Sequence, residues 1–184
     1  MRLNTVRKNA RYAFIFDDAG LASDSMVDIL SQLLRLNNDG RMMTIVQLAG
    51  FPAEVFDAVV DPTRLSGYFL REGSGPLVAG ATVLWQFPEF EERYPVVVRE
   101  VVATERIVLE WGSAIAGDPD TRVVMTFTPL DGGNTMVKIS ESGWPHTPEG
   151  LKASHGNAGG WMHMMAAMKA YLEYGINLRE GGAF

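Results

Sequence analysis

The period of the hydrophobic pattern changes along this chain, and the changes mark out its elements. Near the C-terminus, apolar residues recur at Trp161, Met164, Met165, Met168, Tyr171, Leu172 and Gly175/Ile176. This three-and-four spacing predicts one stripe of a long α-helix running on to Leu178. Thr147, Pro148 and Glu149 supply an N-cap, a first-position proline and an acidic residue at the positive end of the dipole. Off the stripe, Lys169 and Glu173 are spaced to pair across one turn. The stretch Gly156-Asn157-Ala158-Gly159-Gly160 breaks the pattern. Each glycine weakens a helix by ~1 kcal/mol relative to alanine, so the stretch predicts an irregular segment or one that something approaches closely.

Upstream of this helix the period is two. Met42–Leu48 reads as a short strand ended by Gly50-Phe51-Pro52. Pro52 then opens a helix with Val55, Phe56, Val59 and Val60 inward. Asp61-Pro62 breaks it and caps a second short helix reaching Tyr68-Phe69-Leu70, followed by a Gly73–Pro76 loop. Strands follow at Ala81–Phe87, Tyr94–Ala103, Glu105–Ser113, Thr121–Thr128 and Thr135–Glu141. Their inward residues include Val83, Trp85, Phe87, Ile107, Leu109, Trp111, Val123, Met125, Phe127, Val137 and Ile139, and Asp131–Asn134 is a hairpin turn. Short turns between consecutive strands mean an antiparallel meander with one buried face. The expected fold class is α+β, with a long helix covering that face.

Residues 1–41 read as an appendage. Met26, Ile29, Leu30, Leu33 and Leu34 form one amphipathic helix over 24–36, capped by Ser23 or Asp24 and ending near Asn37–Gly40. Such a helix must dock on the body or pair two subunits, which makes a homodimer through the appendage an expectation. A start at Met42 or Met43 also fits the change of period. The expected organisation is 1–41 appendage, 42–178 main domain and 179–184 tail.

With 184 residues, 47% hydrophobic and 21% charged, the chain can bury a sizeable core. A net charge of −6 argues against a nucleic-acid partner. The absence of cysteine removes disulfides and thiolate chemistry. Arg2, Arg7, Lys8 and Arg11 precede any acidic residue, but the apolar run Tyr12–Phe16 is too short for a signal core or a membrane span. A cytoplasmic protein is expected.

Five segments then carry a family resemblance: FPAEVFDAVVDPTRLSGYF, GPLVAGATVLWQFPEF, YPVVVREVVATERIVLEW, VVMTFTPLDGGNTMVKISESGW and GGWMHMMAAMKAYLEYG, in that order. Together they resemble the START-like (SRPBCC) superfamily, in the branch similar to the C-terminal domain of the heat-shock-protein-90 ATPase activator. The resemblance spans about residues 42–178. It implies a helix-grip fold, a curved antiparallel sheet wrapped around the C-terminal helix, with two short helices after the first strand and a hydrophobic cavity between sheet and helix. It carries over no catalytic set, so it speaks to fold more than to function.

The residues expected to line that cavity are Tyr68, Phe69, Trp85, Phe87, Trp111, Met125, Trp144, Trp161, Met164, Met165 and Met168, with Phe90 and Tyr94 beside them. The methionines would adapt to ligand shape. Glu141 follows the inward parity of Val137 and Ile139, and with His146 or Tyr68 it would orient a polar end of the ligand. His155 and His163 lie about 80° apart around a helix, so no metal site is expected, and no cofactor fingerprint is present. The function these residues favour is binding of a small hydrophobic or amphipathic molecule. Two alternatives are a partner that stimulates a chaperone ATPase, by family analogy, and a cyclase- or aromatase-like enzyme using His146 and Glu141.

Overall fold

The computed structural model describes residues 15–16, 42–112 and 120–180. Its strands are β1 Ile15–Phe16, β2 Met42–Ala49, β3 Glu72–Gly73, β4 Thr82–Gln86, β5 Arg93–Val102, β6 Arg106–Trp111, β7 Thr121–Leu130 and β8 Asn134–Ser142. The helices are α1 Pro52–Val60, α2 Pro62–Ser66 and α3 Pro148–Tyr174. One sheet runs in the order β1-β2-β8-β7-β6-β5-β4-β3. From β2 to β3 every pairing is antiparallel, and this curled half-barrel grips α3, as the helix-grip expectation requires.

Alternation along each strand decides what the grip encloses. Val123, Met125 and Phe127 of β7, with Val137 and Ile139 of β8, meet Trp161, Met164, Met165, Ala167 and Met168 of α3 in one core. Apart from Ala167, side chains of this size stabilise by roughly 1.5–3 kcal/mol each when fully buried. Between β7 and β8 the chain turns through a 3-10 turn, where Gly132 (φ 73°) and Gly133 (φ 76°) take a left-handed backbone.

Local signals set the helix ends. The Asp61 side chain accepts from Thr63 N at 2.7 Å, so one residue ends α1 and caps α2. Thr147 caps α3 by accepting from Gly150 N at 3.1 Å. Farther along α3, Lys169 Nζ reaches Glu173 at 2.9 Å and also donates to the Gln47 carbonyl at 3.1 Å. Glu173 in turn accepts from Ala49 N at 2.6 Å. The pair expected to decorate the helix surface therefore also hooks α3 onto the end of β2.

Two expectations change, and one element was not foreseen. The helix passes through Gly156–Gly160 as unbroken α-helix, because its neighbours on both sides are fixed by a cap and by core packing. It stops at Tyr174, where Gly175 (φ 67°) forms a left-handed cap, so Gly175 and the exposed Ile176 do not extend the stripe. The short run near residue 15 forms β1, paired in parallel with Ile45–Val46 at the sheet edge. The amphipathic segment 24–36 lies outside the described residues.

Candidate functional site

The most unusual group in the interior is a carboxylate. Strand parity turns Glu141 inward, and its side chain is 2% exposed. Oε1 accepts from Trp111 Nε1 at 2.9 Å, Thr121 Oγ1 at 2.5 Å and Asn157 Nδ2 at 3.2 Å. Oε2 accepts from Trp161 Nε1 at 2.7 Å and Asn157 Nδ2 at 3.3 Å. Among the described residues none of its bonds comes from Lys or Arg. Neutral donors on β6, β7 and α3 hold the charge instead, each such bond contributing about 1.5–3 kcal/mol. The register explains the convergence: Trp111 pairs with Thr121, and Val123, two residues on from Thr121, pairs with Glu141.

Those indoles form the floor of a cleft of about 220 Å³ between the first half of α3 and the turn after β4. Its walls are Phe69, Phe87, Phe90, Trp111 and Trp161, with Gly156, Asn157 and Gly160 along the helix and Glu89, His163 and Arg179 as polar members. The rings brace one another. Trp111 and Trp161 lie 5.2 Å apart, Phe69 stacks on Trp161 at 6.3 Å, and Phe69 meets Phe87 edge-on at 5.3 Å. A Cβ placed on Gly156 or Gly160 would meet no atom within 4 Å. Neither glycine is required by backbone angle or packing. What they do is leave the cleft open.

The remaining polar group joins the chain end to the turn after β4. Arg179 donates from Nη1 to both Glu89 carboxylate oxygens at 3.0 and 3.2 Å and from Nη2 at 3.4 Å. Its guanidinium carbon stands 5.7 Å from the centre of the Phe69 ring. Its Nε–H is buried with no acceptor among the described residues. Burial pulls the Arg179 pKa below its usual value, against the opposing pull of Glu89. Burial also lowers the His163 pKa, Arg179 lowers it further, and Glu89 partly offsets both. Across the cleft, the Gln86 amide donates to the Glu91 carbonyl at 3.1 Å and Arg71 to the Pro88 carbonyl at 2.7 Å, which fixes the turn that carries Glu89.

The residues singled out in the sequence divide into groups. Phe69, Phe87, Trp111 and Trp161 line the cleft. Trp85, Met125, Met164, Met165 and Met168 are fully buried in the core around it. Tyr68 is likewise enclosed; its hydroxyl donates to the Ala58 carbonyl at 3.1 Å, and burial raises its pKa far above the usual value. Glu141 lies under the floor with both oxygens engaged. Trp144 and the exposed His146 sit in the connection from β8 to α3, and neither lines the cleft. Thr121, Asn157, Glu89 and Arg179 were not singled out. Thr121 shares the parity of Val123 and Met125 and was detectable on that ground, whereas Glu89 lies in a turn and Arg179 in an assumed tail. Among the described residues no group of three or more His, Asp or Glu side chains is placed to hold a metal, and no helix is long and apolar enough to cross a membrane.

Residues 51–173 match the family model described as Activator of Hsp90 ATPase homolog 1-like protein. No curated protein sequence matches the chain. Among solved structures, protein SSP2350 from Staphylococcus saprophyticus is similar with a TM-score of 0.65 and 24% identity, over 76% of this chain and 96% of that one. The Aha1 dimer from Colwellia psychrerythraea aligns with a TM-score of 0.62 and 17% identity, over 73% of this chain and 97% of that one. DynU16, a putative protein of the dynemicin biosynthetic locus, has a TM-score of 0.64 and 23% identity over 74% of this chain, which spans about half of that protein (48%). At these identities the likeness is one of fold.

Proposed function

The chain belongs to the Activator of Hsp90 ATPase homolog 1-like family, and from that premise we propose that it binds a small, largely apolar molecule in the cleft between α3 and the turn after β4. The observation that carries this is the pair Gly156 and Gly160. They weaken α3 by ~1 kcal/mol each, they border open space, and the wall opposite them is aromatic. Helix stability alone would favour alanine at both positions, and an open site for a ligand accounts for glycine. In this reading Phe69, Phe87, Trp111 and Trp161 contact the ligand. Tyr68, Trp85, Met125 and the three core methionines back those walls, and Glu141 fixes the two indoles without touching the ligand. Trp144 and His146 lie outside the contact set, and the setting is cytoplasmic.

The test is mass spectrometry of small molecules released on denaturing the purified full chain, beside a Gly160→Leu variant that fills the cleft. A stoichiometric compound present in the wild type and lost in the folded variant is the expected result. The same compound retained by the variant would refute the assignment of the cleft. The family description also supports a second reading, stimulation of a chaperone ATPase through the protein surface. ATPase assays with and without the chain test it, and an unchanged rate would remove it.

A further inference from the structure

The cleft's charged rim narrows the class of ligand. Arg179 contributes a guanidinium to a largely aromatic lining that also includes Glu89, His163 and Asn157, and its side chain is only 11% exposed. Its guanidinium lies over the Phe69 ring. The Glu89 side chain that pairs with it is 49% exposed, and the bonds it makes reach the two terminal nitrogens only, leaving the buried Nε–H unmet among the described residues. The two partners are therefore unequal. Glu89 borders water and is the partner that can be exchanged, whereas the nearly buried Arg179 needs another anion in its place when Glu89 turns away. Arg179 cannot leave without stripping Phe69 of its cover.

We infer that the cleft takes a compact planar aromatic carboxylate, whose anionic group replaces Glu89 on Arg179 while its ring lies among Phe69, Trp111 and Trp161. This rests on the reading of the cleft as a ligand site. A carboxylate-for-carboxylate exchange preserves the guanidinium's pairing, and a ligand carboxylate docked along the Nε edge would reach the N–H that Glu89 does not. A cationic ligand would instead sit against a fixed Arg179. The other carboxylate nearby, Glu141, is sealed below the indoles and already accepts five hydrogen bonds, so it offers a ligand neither repulsion at contact distance nor a free acceptor. Size points the same way. At about 220 Å³ the cleft is smaller than the ~300–1,000 Å³ typical of drug-sized ligand sites, which suits one or two fused rings.

The experiment is calorimetric titration of the full chain with 2-naphthoate and with its uncharged analogue 2-naphthylmethanol. The proteins are the wild type, Arg179→Gln, Glu89→Gln and Gly160→Leu, each checked for fold by circular dichroism. The wild type should prefer the acid, and Arg179→Gln should weaken the acid by about 10- to 100-fold, the range of one hydrogen-bonded charge pair, with the alcohol changed by less than about twofold. Glu89→Gln should tighten the acid, because it removes the competing carboxylate; this arm does not depend on how well Arg179→Gln folds. Equal binding of acid and alcohol by the wild type, or Arg179→Gln weakening both alike, would overturn carboxylate recognition and leave the cleft reading intact. Binding of neither probe, or binding of both unchanged in Gly160→Leu, would overturn the cleft reading and this inference with it.

Discussion

Exchanging Trp161 for phenylalanine removes one N–H from the Glu141 carboxylate while keeping an aromatic ring in the cleft floor. In the wild type the lost bond is charge-assisted, 2.7 Å long and buried, worth about 1.5–3 kcal/mol. The smaller ring forfeits roughly another 1 kcal/mol of buried area. In a Glu141→Gln background the balance differs. An amide has one oxygen, and Oε1 is where Trp111, Thr121 and Asn157 all donate. Keeping the oxygen there turns the amide NH2 toward the Trp161 N–H, donor against donor. Trp161→Phe then relieves a conflict and loses only the area. The cycle should therefore show a coupling of about 1.5–3 kcal/mol, the area term cancelling between the two backgrounds. Should the amide turn the other way, the same coupling passes to the matching Trp111→Phe cycle. Urea unfolding followed by far-ultraviolet circular dichroism measures it without relying on indole fluorescence. If both cycles are additive to within about 0.5 kcal/mol, the carboxylate does not hold the indoles, and the account of the cleft floor fails.

Further predictions concern single sites. Gly156→Ala and Gly160→Ala should each raise the melting temperature, by up to ~1 kcal/mol of helix stability, and each should weaken ligand binding. A lower melting temperature in both would show that the glycines serve packing. Tyr68→Phe strips a hydrogen bond from the last turn of α1 and should cost about 0.5–1.5 kcal/mol in chemical denaturation; no change would mean that water replaces the hydroxyl. His163 has a lowered folded pKa, so the unfolded chain binds its proton more readily. Stability linked to this residue should be complete above the unfolded histidine range and should fall as the pH drops through it. His163→Gln should flatten that part of the stability–pH curve, and an unaltered curve would refute the linkage.

What the sequence made legible follows from the range of the interactions involved. The Asp61 and Thr147 caps and the Lys169–Glu173 bond span four residues or fewer and were readable from spacing, whereas the hold of that pair on Gln47 and Ala49 was not. Strand parity likewise identified the inward faces, including that of Glu141, because side-chain alternation is imposed by the backbone. The partners of Glu141 were hidden, since Trp111, Thr121 and Asn157 meet it only through strand register and helix placement. The glycine stretch was read two ways, as an irregular helix or as a helix that something approaches closely, and only the first of these fails. Caps and core packing at both ends of α3 overrode local propensity, and the same glycines became a wall of the cleft. Arg179 and Glu89 lie 90 residues apart, in segments with no periodicity, so nothing local could have joined them.

The glycines of α3 also set stability and capacity in opposition. At most core positions a change that harms packing harms the site with it, and selection for a stable fold protects both. At Gly156 and Gly160 an added methyl meets no neighbour and strengthens the helix. A lineage selected for stability alone would drift toward closing the cleft, one alanine at a time. If the cleft binds a ligand as proposed, the two glycines trade helix stability for open space, and engineering for heat resistance should leave both untouched.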